Sequence, residues 1–229
     1  MNSESTRPAA ILWDMDGTLI DSEPYWIDAE KELAAKFGVD WTDADGPQVG
    51  GKDLKVSAEV LMSRGIAMRP DDIIEYLLSH VAAQLKVRVP WHEDSRALLE
   101  SVSAAAIPCA LVTMSYSKLT NALVKHRPET FAVIVTGDRV KHGEPHREAY
   151  LMAARELGVR IEDCVAVEDS HPGVASAYAG GAVTIGVRRL TPIVAREGLN
   201  RVYGLEGWTV EHLAELANGR VIDELGSNS

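Results

Sequence analysis

Five short apolar runs recur along the chain: Ala9–Asp14 (AAILWD), Cys109–Met114 (CALVTM), Phe131–Gly137 (FAVIVTG), Asp163–Asp169 (DCVAVED) and Ala182–Val187 (AVTIGV). Each is rich in Val, Ile, Leu and Ala with no polar alternation, the signature of strands buried on both faces of a parallel sheet. Between the later runs lie helix-patterned stretches. In 147–159, Ala149, Leu151, Met152, Ala153 and Leu157 recur at helical spacing and Gly158 follows as a stop. The repeating unit is strand, helix, strand, which predicts an α/β protein: an open parallel sheet between two layers of helices, with ligands at the carboxyl ends of the strands. One region breaks the pattern. From about Asp21 to Val89 the spacing predicts helices over 25–37, 52–64 and 70–86 with no strand between them, bracketed by Pro24 and Pro90. This reads as a helical insertion after the first strand.

The 229 residues suffice for a core domain with a smaller companion. A formal net charge of -11 repels polyanions at long range, which argues against nucleic acid and anionic membrane as partners. An anionic substrate must therefore be met by local positive charge or by a metal. Cys109 and Cys164 are the two cysteines, each within an apolar run, and they read as reduced, strand-buried thiols of a cytoplasmic protein, with a disulfide between them as the alternative. The polar start MNSESTRPAA contains no apolar leader, and no run of ~18 apolar residues occurs anywhere. The expected state is a monomer or weak dimer in the cytoplasm.

The chemistry is concentrated where apolar runs end. Ile11-Leu12-Trp13 leads into Asp14-Met15-Asp16-Gly17-Thr18, two carboxylates two residues apart at the edge of a strand. An acidic turn is one reading. The pairing makes more sense if a divalent cation offsets their repulsion while one of them attacks a substrate. The segment DMDGT resembles the signature of the haloacid dehalogenase-like superfamily of phosphatases, in particular the β-phosphoglucomutase-like subgroup with a helical cap, and ordered matches extend that resemblance over the whole chain. It implies a Rossmann-like core over 1–21 and 90–229, with a cap over 22–89 that selects the substrate. It also implies that Asp14 is the nucleophile forming an aspartyl-phosphate and that Asp16 is the general acid and base.

Three further segments match. Leu111-Val112-Thr113-Met114-Ser115 ends in a hydroxyl where the family binds the transferring phosphoryl group, so Thr113 and the amide of Met114 become phosphate-binding candidates. Ser115 and Ser117 fit equally well as caps of the following helix. Val165-Ala166-Val167-Glu168-Asp169-Ser170 makes Asp169 a metal ligand with Glu168 beside it or behind it. With Asp14 and the main-chain carbonyl of Asp16, these form an oxygen-rich set suited to Mg2+. In the cap, Lys52 of Gly50-Gly51-Lys52 lies where relatives place a basic substrate contact, although a solvated surface lysine is the alternative. The seven histidines show no zinc-type spacing, and none is assigned as a ligand.

One match fails. Where the family keeps a lysine in Gly-Lys-Pro-x-Pro-x-x-Tyr, this chain reads Gly143-Glu144-Pro145-His146-Arg147-Glu148-Ala149-Tyr150, which reverses a charge. Opposite unit charges about 4 Å apart are worth roughly 4 kcal/mol at an effective dielectric near 20, and a glutamate there repels a phosphate instead. Lys118, Lys141 and Arg147 are the candidates to replace the missing cation, with Lys118 and Lys141 as phosphate contacts. The expected activity is hydrolysis of a small phosphate monoester such as a sugar phosphate. The alternatives are a β-phosphoglucomutase-like transfer, or a relative whose catalysis is impaired by Glu144.

Overall fold

A computed structural model describes residues 7–49 and 54–226. Six parallel strands form one sheet: β1 (Ala10–Trp13), β2 (Cys109–Val112), β3 (Val133–Val135), β4 (Cys164–Glu168), β5 (Val183–Val187) and β6 (Asn200–Val202), in the order β3-β2-β1-β4-β5-β6. β1 is central, and Trp13 lies level with Leu111 on one side and Val167 on the other. The five strands expected from the apolar runs are present. β6, with its buried Asn200 and Arg201, is not foreshadowed by an apolar run.

Successive strand residues face opposite sides, and the two sides have different chemistry. Ile11, Trp13, Leu111, Val165, Val167 and Ile185 face one core together with Leu98, Leu99 and Val102 of α4 (Glu93–Ala104) and Leu213 and Leu216 of α8 (Val210–Ala217). Ala10, Leu12, Ala110, Val112 and Ala166 face the other, against Ala149, Tyr150, Ala153 and Ala154 of α6 (Glu148–Leu157) and Ala177 of α7 (His171–Gly180). The alanine-rich second face lets α6 and α7 approach the sheet closely. The inward positions of α6 are thus Ala149, Tyr150, Ala153 and Ala154, while Leu151 and Met152 are only half-buried. Cys109 and Cys164 are both free and buried, and burial pushes each thiol up to about 12.

Three helices follow β1: α1 (Glu23–Lys36), α2 (Leu54–Ser63) and α3 (Pro70–Val87). Their described ends fall within two residues of the expected spans; the expected start of the second helix, at 52 and 53, lies outside the described residues. α3 packs on α1 and α2 and also on α5 (Ser117–Val124), which follows β2. The chain leaves and re-enters the sheet region at neighbouring points. Asp21 N donates to Pro90 O at 2.9 Å, His92 N donates to Leu19 O at 2.9 Å, and Ile20 forms an antiparallel bridge with Trp91.

Candidate active site

Three adjacent strands, β2, β1 and β4, end at the same edge of the sheet, and the residue or pair at each end is polar. Beyond β1, Asp14 N donates to Val167 O at 3.1 Å, so the ladder continues one residue further and sets Asp14 beside the end of β4. β4 ends in Glu168, followed by Asp169; β2 is followed by Thr113. All four are buried. Carboxylate oxygens of Asp14, Glu168 and Asp169 lie within 4.8 Å of one another.

Their environments differ. Glu168 accepts from the Tyr150 hydroxyl at 2.7 Å on Oε1, and on Oε2 from Asp169 N at 3.2 Å, Ser170 N at 3.3 Å and Ser170 Oγ at 3.2 Å. Ser170 is also the N-cap of α7, accepting from Gly173 N at 3.0 Å. Gly173 has no Cβ because none fits: it would stand 1.9 Å from Glu168 Oε1. Glu168 is thereby clamped against the start of α7 with both oxygens engaged. Asp169 accepts from Thr18 Oγ1 at 3.0 Å on Oδ1. Its Oδ2 faces Gly17, whose φ of +90° and the 2.2 Å separation that a Cβ would have from that oxygen both require glycine.

Such crowding raises every carboxyl in the group. Burial, then Glu168, Asp169, Glu144 and Asp16, push Asp14 well above the usual carboxylate range. Glu168 is raised by burial and by Glu144 and Asp169, against the lowering effect of Tyr150 and Ser170. Burial raises Asp169 to about 6, opposed by the Thr18 hydrogen bond and by the Arg189 charge. Buried carboxylates held this close are stable as a set when a cation sits among them. An all-oxygen donor set with Asp14 and Asp169 still open fits a hard divalent ion.

Asp16 stands apart from that cluster. Its carboxylate accepts from Ser22 on Oδ1 and from Ser115 Oγ at 2.6 Å on Oδ2. Burial raises it, while the two serines hold it down. Ser115 therefore serves Asp16 and does not cap α5, and Ser117 bonds Asp138 at 2.8 Å. Thr113 Oγ1 accepts from Ser115 N at 3.1 Å, which leaves its proton free to donate.

Glu144 comes into the site where a cation was looked for. Burial and Asp169 raise it to about 7, and its Oε1 is sealed from solvent with no hydrogen-bond partner among the described residues. The three suggested replacements stand elsewhere. Lys118 Nζ pairs with Glu75 and bonds Ser79 Oγ at 2.6 Å, tying α5 to α3. Lys141 is exposed, with its amide bonded to Glu148 at 2.9 Å, and Arg147 is exposed at the start of α6. Lys52 lies outside the described residues. Thr18, Ser22, Tyr150 and Arg189 contribute without having been singled out beforehand. Of these, Thr18 and Tyr150 lay inside recognisable motifs, Tyr150 as the last residue of the segment that carries Glu144.

The whole edge, from the first strand through the fifth, is matched by a family model. Residues 11–187 fit the haloacid dehalogenase-like hydrolase model. The chain belongs to the haloacid dehalogenase-like hydrolases. Among relatives in this family, hexitol phosphatase A of Escherichia coli is 32% identical over 193 residues, spanning 79% of this chain and 83% of its own. A phosphorylated carbohydrates phosphatase of Thermotoga maritima is 31% identical over 180 residues, 75% of this chain and 81% of its own. Among solved structures, a variant of CbbY from Rhodobacter sphaeroides in complex with xylulose-(1,5)bisphosphate superposes with a TM-score of 0.74 at 26% identity, covering 85% of this chain and 93% of that one. The fold and the hydrolase class of this chain are those of the family.

Proposed function

We propose that this haloacid dehalogenase-like hydrolase is a Mg2+-dependent phosphatase acting on a small phosphorylated sugar in the cytoplasm. The observation that carries the reading is the division of labour between two aspartates on one strand end: Asp14 in the carboxylate cluster, Asp16 held away from it by Ser22 and Ser115. The sugar-phosphate part is supported by the relatives' names, a hexitol phosphatase and a phosphatase of phosphorylated carbohydrates.

Asp14 and Asp169, with the main-chain carbonyl of Asp16, would hold Mg2+, and Glu168 would stiffen the site from behind. The ion, when bound, supplies the positive charge that offsets the carboxylates and the phosphoryl oxygens. An Asp14 carboxylate oxygen attacks phosphorus while the bond to the sugar oxygen breaks, and Asp16 gives that oxygen its proton. Burial raises Asp16 against the pull of Ser115 and Ser22, which favours the protonated form that this step uses. Asp16 then takes a proton from water as that water attacks phosphorus, which frees Asp14 and releases phosphate. The Thr113 hydroxyl and the Met114 amide donate to the phosphoryl oxygens throughout. Helices α1–α3, within 22–89, act as the cap that excludes water and chooses the sugar, with Lys52 a contact from it.

Glu144 favours a second reading: a family member that binds metal and ligand but turns over slowly or not at all. An orphaned carboxylate oxygen beside Asp14 and Asp169 opposes an incoming phosphate. Mg2+-dependent phosphate release from an aryl phosphate and a panel of sugar phosphates, with Asp14→Asn as the blank, separates the two. Release lost in Asp14→Asn supports the phosphatase. Wild type no faster than the blank, from folded protein that still binds Mg2+, supports the second reading.

A further inference from the structure

The loop that carries Glu144 is flanked by a second group of metal-ligating side chains, on the surface and of different chemistry. His142 Nδ1 lies 2.8 Å from Glu148 Oε2, and His146 Nδ1 lies 3.9 Å from the same oxygen. The two rings stand 4.8 Å apart between centroids, tilted by 42°. One donor atom from each of the three residues falls within 4.8 Å of the others. Around a tetrahedral ion with bonds of about 2.0–2.2 Å, ligand atoms sit about 3.4 Å apart, a value that the two measured separations bracket.

The frame behind these donors is built. Glu148 opens α6 and accepts from Lys141 N at 2.9 Å and His142 N at 3.2 Å, so its carboxylate is already turned back over the loop. Those bonds, Lys141 first and then His142, hold Glu148 below the usual range and so keep it ionised. His146 is anchored through its carbonyl, which accepts from Ser176 Oγ of α7 at 2.8 Å. Its Nδ1 accepts from Glu148 N at a long 3.3 Å, a contact of this ring that a metal bond would replace.

We propose that His142, His146 and Glu148 bind a borderline transition ion of the Zn2+ type, with solvent completing the coordination, and that this ion clamps the 142–148 loop across Glu144. Both imidazoles are exposed, so an ion reaches them without rearrangement of the core. Binding at His142 Nδ1 replaces its hydrogen bond to Glu148 with a bond to the cation, and the neutral ring carries its one N–H on Nε2 instead. Two imidazoles and one carboxylate select Zn2+ or Co2+ over Mg2+, whereas the all-oxygen cluster at the strand ends has the opposite preference. The two sites are thus separable by ligand chemistry.

Protein held in excess Mg2+ is titrated with Zn2+ against a chromogenic chelator, alongside the His142→Ala/His146→Ala double variant and Asp169→Asn. Wild type and Asp169→Asn should each withdraw one Zn2+ per chain, and the double variant should hold it at least about tenfold more weakly. Co2+ in place of Zn2+ should give a strong visible absorption that the double variant lacks. Wild-type affinity retained in the double variant, or no Zn2+ taken by wild type, overturns the site. Binding lost only in Asp169→Asn overturns it as well, by placing the ion among the carboxylates. Failure of Mg2+ to bind at all would count against the phosphatase reading and leave this one standing.

Discussion

Gly173 and Glu168 are in contact across the turn from β4 into α7, with the carboxylate filling the space that a Cβ on Gly173 would need. Gly173→Ala must therefore push Glu168 out of its bonds with Tyr150 and Ser170. Overpacking of this kind costs typically about 1–3 kcal/mol. The expected outcome is a lower Tm and a smaller rise in Tm on adding Mg2+, both read from thermal melts. An unchanged melt would mean that the clamp on Glu168 has no structural weight.

Ser115 lowers Asp16 by donating to it, so Ser115→Ala should raise Asp16 further. The pH profile of kcat for phosphate release should move to higher pH while substrate KM changes little. A profile that stays in place would separate Asp16 from the proton transfers assigned to it.

Glu144 and Asp169 give the metal-free protein a distinctive pH dependence. Their folded values, about 7 and about 6, lie above the ordinary 4.5 and 3.8. A group raised by folding favours the fold while protonated, so this contribution is fully present below about pH 4 and is lost as pH rises through about 6 to 7. Glu30 of α1, raised to about 7 by burial, adds to the same slope. Denaturant melts from pH 4 to 8 should show wild type losing stability as pH rises. Glu144→Gln should show a shallower loss, and the difference between the two isolates Glu144 from Glu30. Equal slopes would mean that Glu144 is not burdened by its neighbours.

Restoring a cation at that position should help phosphate. Glu144→Lys is expected to raise kcat/KM for phosphate release by one to three orders of magnitude, equivalent to roughly 1.4–4 kcal/mol. Steady-state assays at saturating Mg2+ measure it, and no gain would show that the site gathers its positive charge elsewhere.

Lys118 presents a smaller test. Its ion pair with Glu75 lies partly exposed between α5 and α3. A double-mutant cycle with Lys118→Ala and Glu75→Ala should give a coupling of about 0.2–1 kcal/mol in denaturant melts. A far larger loss of activity than of stability in Lys118→Ala would mean that the lysine leaves Glu75 to contact substrate.

Asp14, Asp16, Thr113 and Asp169 were legible in the sequence because each ends or follows a local apolar run, and a parallel sheet brings such ends to one edge. Tyr150 was not, since its bond to Glu168 depends on α6 lying over the alanine-rich face, a long-range fact. Arg189 is likewise remote in sequence from Asp169, whereas Ser22 lies six residues from Asp16 and was hidden only by the turn between them. β6 escaped for another reason. Its Asn200 and Arg201 are buried because partners exist for them: Thr184 O for Asn200, and Ile193 O, Asp223 and Gly226 O for Arg201. A strand stabilised by satisfied polar groups leaves no hydrophobic run to read. The charge reversal at Glu144 was visible at once, but the pairing of Lys118 with Glu75 and the exposure of Lys141 needed their positions in space.

The bond from Asp21 N to Pro90 O makes the helical excursion, seen from the sheet, a detour that returns to its starting point. Closure entropy grows only with the logarithm of loop length, so a longer or shorter detour would alter the core's stability very little. The strand order, and with it the convergence of Asp14, Thr113 and Asp169, is insulated from whatever occupies the detour. A lineage built on this plan is free to exchange the inserted helices wholesale while keeping the sheet edge intact.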